Sequence, residues 1–167
     1  MQYYIGIDNG LDGGIAVIDR QSKIVRIRPM PTQKLGKGRV IDAAAVLDLL
    51  TQWQPPEVTI LLEEASKHAA GVLSLCSTWR SFGALDAILR CTRHRYHIIR
   101  PQQWQKAFWA RPKMAKGQTF NTKAAALAAA RRLWPDENWL ATERSTTPHD
   151  GMVDGALIAE FGRKNRL

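Results

Sequence analysis

Residues Ile5–Asp19, IGIDNGLDGGIAVID, decide the fold. Tyr3 to Asp8 is an apolar run that ends on a carboxylate, and Gly13 to Arg20 (GGIAVIDR) is a second run, so a short glycine-rich turn joins two buried strands. Ile24 to Arg28 (IVRIR) alternates as a half-exposed third strand, and three strands with such short links make an antiparallel meander. Farther on, Val58 to Leu62 (VTILL) is continuously apolar, as befits a central strand covered on both faces, and it delivers Glu63 and Glu64 at its end.

Helical spacing fills the intervals. After a polar loop, PTQKLGKGR, residues 41–54 predict a helix that stops before Pro55-Pro56. Residues 71–91 predict a long helix, followed by a short strand from Tyr96 to Ile99 and a helix opened by Pro101, whose missing N–H costs nothing at a first helical position. Asn121 is an N-cap for the alanine-rich NTKAAALAAARRLW, which Pro135 closes, and a last helix runs from about Pro148 to Arg163. This order predicts one α/β domain over residues 1–167. Its mixed five-stranded sheet has three antiparallel N-terminal strands, then parallel ones, flanked by helices.

Charge points to a polyanionic partner. The 167 residues carry 24 Lys and Arg against 15 Asp and Glu, a formal net charge of +9. Between Ala87 and Pro135 there is no acidic residue, while eleven of those 49 positions are Lys or Arg. Such a run makes one side of the molecule positive, the footprint of a phosphate-backbone binder, although many charge runs are merely solvated faces. Two cysteines, Cys76 and Cys91, fall in one predicted helix, too far apart along it to bridge, which suggests a reducing compartment. No signal-like segment opens the chain and no apolar run approaches the roughly eighteen residues of a membrane helix. The expectation is a soluble intracellular protein with no membrane partner.

The acids form a pattern. Asp8 closes the first strand, Glu63 the fourth, and Asp150 and Asp154 stand one helical turn apart near the start of the last helix. Their face continues as Leu157, Ile158 and Phe161, which must pack on the sheet, so Asp154 points inward, where an unpaired carboxylate is costly. Each acid has an ordinary reading as well: Asp8 as a turn former, the Glu63-Glu64 doublet as a solvated strand end, Asp150 as first-turn dipole compensation behind a Thr147 N-cap. Together they suggest a cradle for two hard divalent ions, Mg2+ with Mn2+ able to substitute, of the kind used to cut phosphodiesters. His149 is either a surface residue or a further ligand or proton donor.

The stretches IGIDNGLDGGIAVID, LLEEA with STWRSFGALDAIL, RPQQWQKAF, NTKAAALAAARRLWP and PHDGMVDGALIAEFGRK resemble, in order and over nearly the whole chain, the RuvC-type Holliday-junction resolvases. The spacing of four between Asp150 and Asp154 is nearer to the phage and plastid branch than to bacterial members, which often use three. The resemblance implies an RNase H-like fold and a homodimer that cuts four-way DNA junctions symmetrically, leaving a 5′-phosphate and a 3′-hydroxyl. It implies metal binding by Asp8, Glu63, Asp150 and Asp154, and prefers Glu63 to Glu64. It further implies that the helix after Glu63 forms the dimer interface, with Trp79, Arg80 and Phe82 as candidates to act near the junction centre, although an aromatic at helical spacing is more often a core residue. Lys113, Lys116 and Lys123 would meet phosphates of the cut strand, with Asn121 and Thr122 adding donors at a helix N-terminus. Trp104 reads as structural and Trp109 as able to stack on bases. Two other classes share features of this pattern: an RNase H-like nuclease acting on RNA–DNA hybrids or flaps, and a junction-binding protein that does not cut. IGIDNGLDGG also resembles the phosphate hairpin of actin-like ATPases, but those need two such domains.

Overall fold

The computed structural model describes residues 2–67, 71–115 and 117–167. Three strands open the chain, β1 (Tyr3–Ile7), β2 (Gly14–Asp19) and β3 (Ile24–Pro29). A hairpin follows, β4 (Thr32–Leu35) and β5 (Gly38–Ile41), then α1 (Ala43–Leu50), β6 (Val58–Glu63), α2 (Val72–Cys91) and β7 (Arg95–Ile99). Helices α3 (Pro101–Phe108), α4 (Thr122–Leu133) and α5 (Asp150–Lys164) complete the chain. The main sheet has the order β3-β2-β1-β6-β7. β1 is antiparallel to β2 and parallel to β6, and β6 is parallel to β7, the mixed arrangement expected from the sequence.

The pleat sorts side chains into two cores. Ile5, Ile7, Ile15, Val17, Ile60 and Leu62 face α1 and α2, where Val46, Leu49, Leu85 and Leu89 meet them. Tyr4, Ala16, Ile18 and Leu61 face the other way, against Trp104 of α3, Ala126 and Ala130 of α4, and Val153, Ala156 and Leu157 of α5. Burial on both faces explains why β1, β2 and β6 read as continuous apolar runs.

α5 lies unusually close to the sheet because glycines meet there. A Cβ on Gly6 would stand 2.0 Å from the Gly155 carbonyl oxygen and 2.4 Å from the Ala159 nitrogen. The approach is so near at the helix start that Gly13 and Gly151 form a parallel β-bridge. This contact carries the N-terminal turn of α5, with Asp150 and Asp154, to the end of β1.

Three expectations are corrected. PTQKLGKGR, read as a polar loop, is a hairpin, because a two-residue turn at Gly36-Lys37, with Gly36 at φ +60°, pairs Leu35 with Gly38. The helix predicted over 41–54 is shorter: Ile41 ends β5, and Asp42 caps α1 by accepting from the Ala45 N–H at 3.0 Å. The last helix is capped by His149, whose Nδ1 accepts from the Met152 N–H at 3.3 Å, and not by Thr147. Among the described residues no helix is long and apolar enough to cross a membrane.

Candidate active site

Asp8 stands one residue beyond β1, its backbone N–H bonded to the Gly14 carbonyl at 3.0 Å and its carboxylate accepting from the Gly10 N–H at 3.3 Å. Asn9 precedes Gly10, a pair that by itself suggests a tight bend. It is instead buried, and its side-chain N–H2 donates to the Glu63 carbonyl at 2.7 Å, clamping the end of β1 to the end of the parallel strand β6. The two glutamates diverge. Glu63 accepts from the Trp104 indole N–H at 2.7 Å, while Glu64 faces Arg100 at 3.4 Å. Trp104 is therefore a core residue, as expected, that also holds a candidate site carboxylate.

Asp154 is half-buried and Asp150 is exposed one turn before it. Lys123, on the first turn of α4, approaches Asp150 at 2.5 Å. Asp8, Asp150 and Asp154 line one open cleft with Gly10, Asp12 and Lys123; Arg39 of the hairpin and Ser77, Thr78 and Ser81 of α2 form its other wall. The cleft has a volume of about 460 Å³.

Burial and neighbouring negative charge both act on these acids. Burial pushes the Asp8 carboxyl up to about 6; the Gly10 N–H opposes this, and the negative charges of Asp150 and Asp12 add to it. Burial likewise holds Glu63 well above the usual carboxylate range, reinforced by Asp8 and Asp154 and opposed by the Trp104 hydrogen bond. Asp154 is raised by burial, then by Asp8 and Asp150, with Lys123 in partial compensation. Lys123 in turn is raised by its contact with Asp150.

This donor set fits hard divalent cations. Every donor is a carboxylate oxygen, and a bound cation would offset both the burial that chiefly raises Asp8, Glu63 and Asp154 and the mutual repulsion that adds to it. Among the described residues no three His, Cys, Asp or Glu side chains already converge at metal-ligand spacing. Asp150 leans on Lys123 and Glu63 on Trp104 instead.

A pH dependence follows. An acid whose pKa is higher in the folded than in the unfolded chain keeps its proton longer when folded, so stability is greatest at low pH and falls as pH rises through the folded value. For Asp8 the loss lies between about pH 4 and pH 6, and a shift from 3.8 to about 6 corresponds to up to about 3 kcal/mol. In EDTA, thermal unfolding of the wild type is expected to show this fall. Asp8→Asn should flatten it and raise the melting temperature at pH 7.5. Identical pH profiles for the two proteins would show that Asp8 carries no such strain.

The residues expected to meet DNA are dispersed. Trp79 and Arg80 are exposed on α2, whereas Phe82 packs against the core beside Trp79, ring centroids 5.7 Å apart. Lys113 is exposed between α3 and α4, and Lys116 lies outside the described residues. Asn121 caps α4, its side chain accepting from the Ala124 N–H at 3.0 Å. Trp109 is half-buried, edge-on to Trp104 at 5.6 Å. Arg39 and the α2 hydroxyls at the cleft had no signal in the sequence, because only the tertiary fold brings them there.

A mixed five-stranded sheet ordered 3-2-1-6-7, with an acid at the end of its central strand and a helix packed across it, is the RNase H-like architecture. Among solved structures, RuvC of Thermus thermophilus in complex with a Holliday junction substrate superposes with a TM-score of 0.60 at 14% identity, covering 98% of this chain and 96% of that one. A second Thermus thermophilus RuvC structure gives a TM-score of 0.58 at 16% identity, over 99% and 97% of the two chains. These likenesses establish the RuvC fold; both structures are bacterial and lend no support to the phage or plastid branch. No family model matches the chain, and no curated protein is similar to it in sequence.

Proposed function

We propose that this chain is a divalent-ion-dependent endonuclease that nicks four-way DNA junctions in recombination, repair or phage DNA processing. What supports this reading is that Asp8, Asp150 and Asp154 line one cleft, with Glu63 at the end of β6 near enough for Asp8 and Asp154 to act on its charge, inside the RuvC fold, in a protein of net charge +9.

In this reading the four carboxylates hold two Mg2+ ions, or Mn2+ in their place. When bound, such ions supply activation of water and stabilisation of the leaving oxygen in an in-line displacement at phosphorus. The chain's own residues prepare the site. Asn9 and Trp104 fix Glu63 from its backbone and side-chain ends, so that its carboxylate is aimed without reorganisation. Lys123 balances Asp150 in the free protein and is placed to move its charge onto a phosphate of the cut strand, next to the free N–H groups of α4. Lys113, Trp79 and Arg80, all exposed, extend the DNA surface.

The nuclease domain spans residues 1–167 and acts as a homodimer inside the cell. Support for the dimer is the exposed apolar start of α2, where Val72 and Leu73 are 77% and 87% exposed.

The substrate test uses a four-way junction, a linear duplex and an RNA–DNA hybrid, each with Mg2+ and with EDTA. Mg2+-dependent cutting of the junction alone is expected. Cutting of the hybrid alone would replace this reading with an RNase H-type activity, and tight junction binding without cutting under any divalent ion would leave a binding module.

A further inference from the structure

The β4–β5 hairpin stands apart from the main sheet as a two-stranded ribbon of its own. Residues 33–39 are exposed throughout, so the ribbon adds little to either core. Isolated two-stranded ribbons are marginal in water, and like charges directly opposed across strands weaken them further. This one pairs Lys34 directly with Arg39 and places Lys37 in its turn. Among the described residues neither Lys34 nor Lys37 has an ion-pair partner, while Arg39 is bound to Asp12 at 2.7 Å. That ion pair ties the ribbon, one pair back from its turn, to the loop carrying Asp8. Arg39 also lines the carboxylate cleft, and it shares an adjoining groove of about 420 Å³ with Arg80 of α2.

A ribbon that buries little, opposes its own cations and is anchored at the edge of the candidate active site is poorly explained by folding. It is well explained by an external polyanion. We propose that the β4–β5 ribbon is a DNA-binding arm whose Lys34 and Lys37 engage backbone phosphates of the duplex leading into the cleft, with Arg39, directly across from Lys34, anchoring it to Asp12. The assignment rests on the nuclease reading for the identity of that polyanion. A two-stranded ribbon matches the width of a DNA groove, and Arg39 of the ribbon lies beside Arg80 on the α2 wall of the cleft, so the arm extends that basic surface.

The test measures junction binding against salt, with Ca2+ present, for three proteins: wild type, Lys34→Ala/Lys37→Ala, and Arg20→Ala/Lys23→Ala. The last removes the same charge from the exposed β2–β3 turn, at the far end of the sheet from Asp8. Each lost phosphate contact lowers the slope of log affinity against log salt by about 0.9, so the ribbon variant should lose about 2 in slope and bind roughly tenfold or more weakly near 0.1 M salt. The turn variant should follow the wild type. Circular dichroism confirms that each variant is folded. A ribbon variant with wild-type affinity and slope overturns the proposal while leaving the nuclease reading intact, and so does an equal loss in both variants, which would reflect net charge alone. Wild-type protein that binds neither junction nor linear duplex overturns both.

Discussion

Asp154→Asn is expected to bind four-way junctions at least as well as the wild type while cutting them at least about a thousand-fold more slowly. The change keeps size and removes charge. Asp154 is held protonation-prone by burial and by its acidic neighbours, so its neutral analogue fits the DNA-free protein without strain and presents less negative charge to a phosphate backbone. What it removes is a ligand oxygen. Several kcal/mol of transition-state stabilisation rest on correctly held ions, and each ~1.4 kcal/mol is a factor of about 10 in rate. Single-turnover cleavage beside a gel-shift titration separates the two effects. Cutting at near wild-type rate would remove Asp154 from the site and with it the metal assignment.

Gly6→Ala is expected to be the most destabilising small change in the molecule. The added methyl would meet two backbone atoms of α5, the Gly155 oxygen at 2.0 Å and the Ala159 nitrogen at 2.4 Å, neither of which can rotate aside. The helix must move bodily, and overpacking against backbone on this scale costs about 4 kcal/mol, at the upper end of single substitutions. For a chain of this size that lowers the melting temperature by about 10 °C. The shift also separates Asp154 from Asp8, so whatever remains folded should cut poorly. A melting temperature within about 2 °C of the wild type would mean that α5 rides higher on the sheet than described.

The two cases differ in how far the sequence announces them. Asp8, Glu63, Asp150 and Asp154 are legible because each ends or begins an element whose periodicity is strong, and element ends on one side of a sheet must meet. The continuous runs in β1, β2 and β6 declare burial on both faces for the same reason. Gly6 is not legible: a glycine in a strand reads as a weak point, and only the opposing Gly155 and Ala159 make it the glycine with least room for a side chain among the described residues. The hairpin was hidden because β4 (TQKL) is almost wholly polar and exposed and alternates with no apolar face, so Gly36 and Gly38 read as loop glycines. Asn9 shows the limit of local chemistry. Asn-Gly next to a strand suggests a bend, whereas the partner that determines its role, the Glu63 carbonyl, lies 54 residues away.

The most direct test of the central claim, that these carboxylates form one divalent-ion nuclease centre for branched DNA, is to map the nicks made by the wild-type protein in a synthetic four-way junction and then add a DNA ligase. The account predicts, with Mg2+, two nicks placed symmetrically across the junction, both sealed by the ligase, and none in EDTA. Nicks that persist in EDTA, or an intact junction beside a degraded RNA–DNA hybrid, would contradict it.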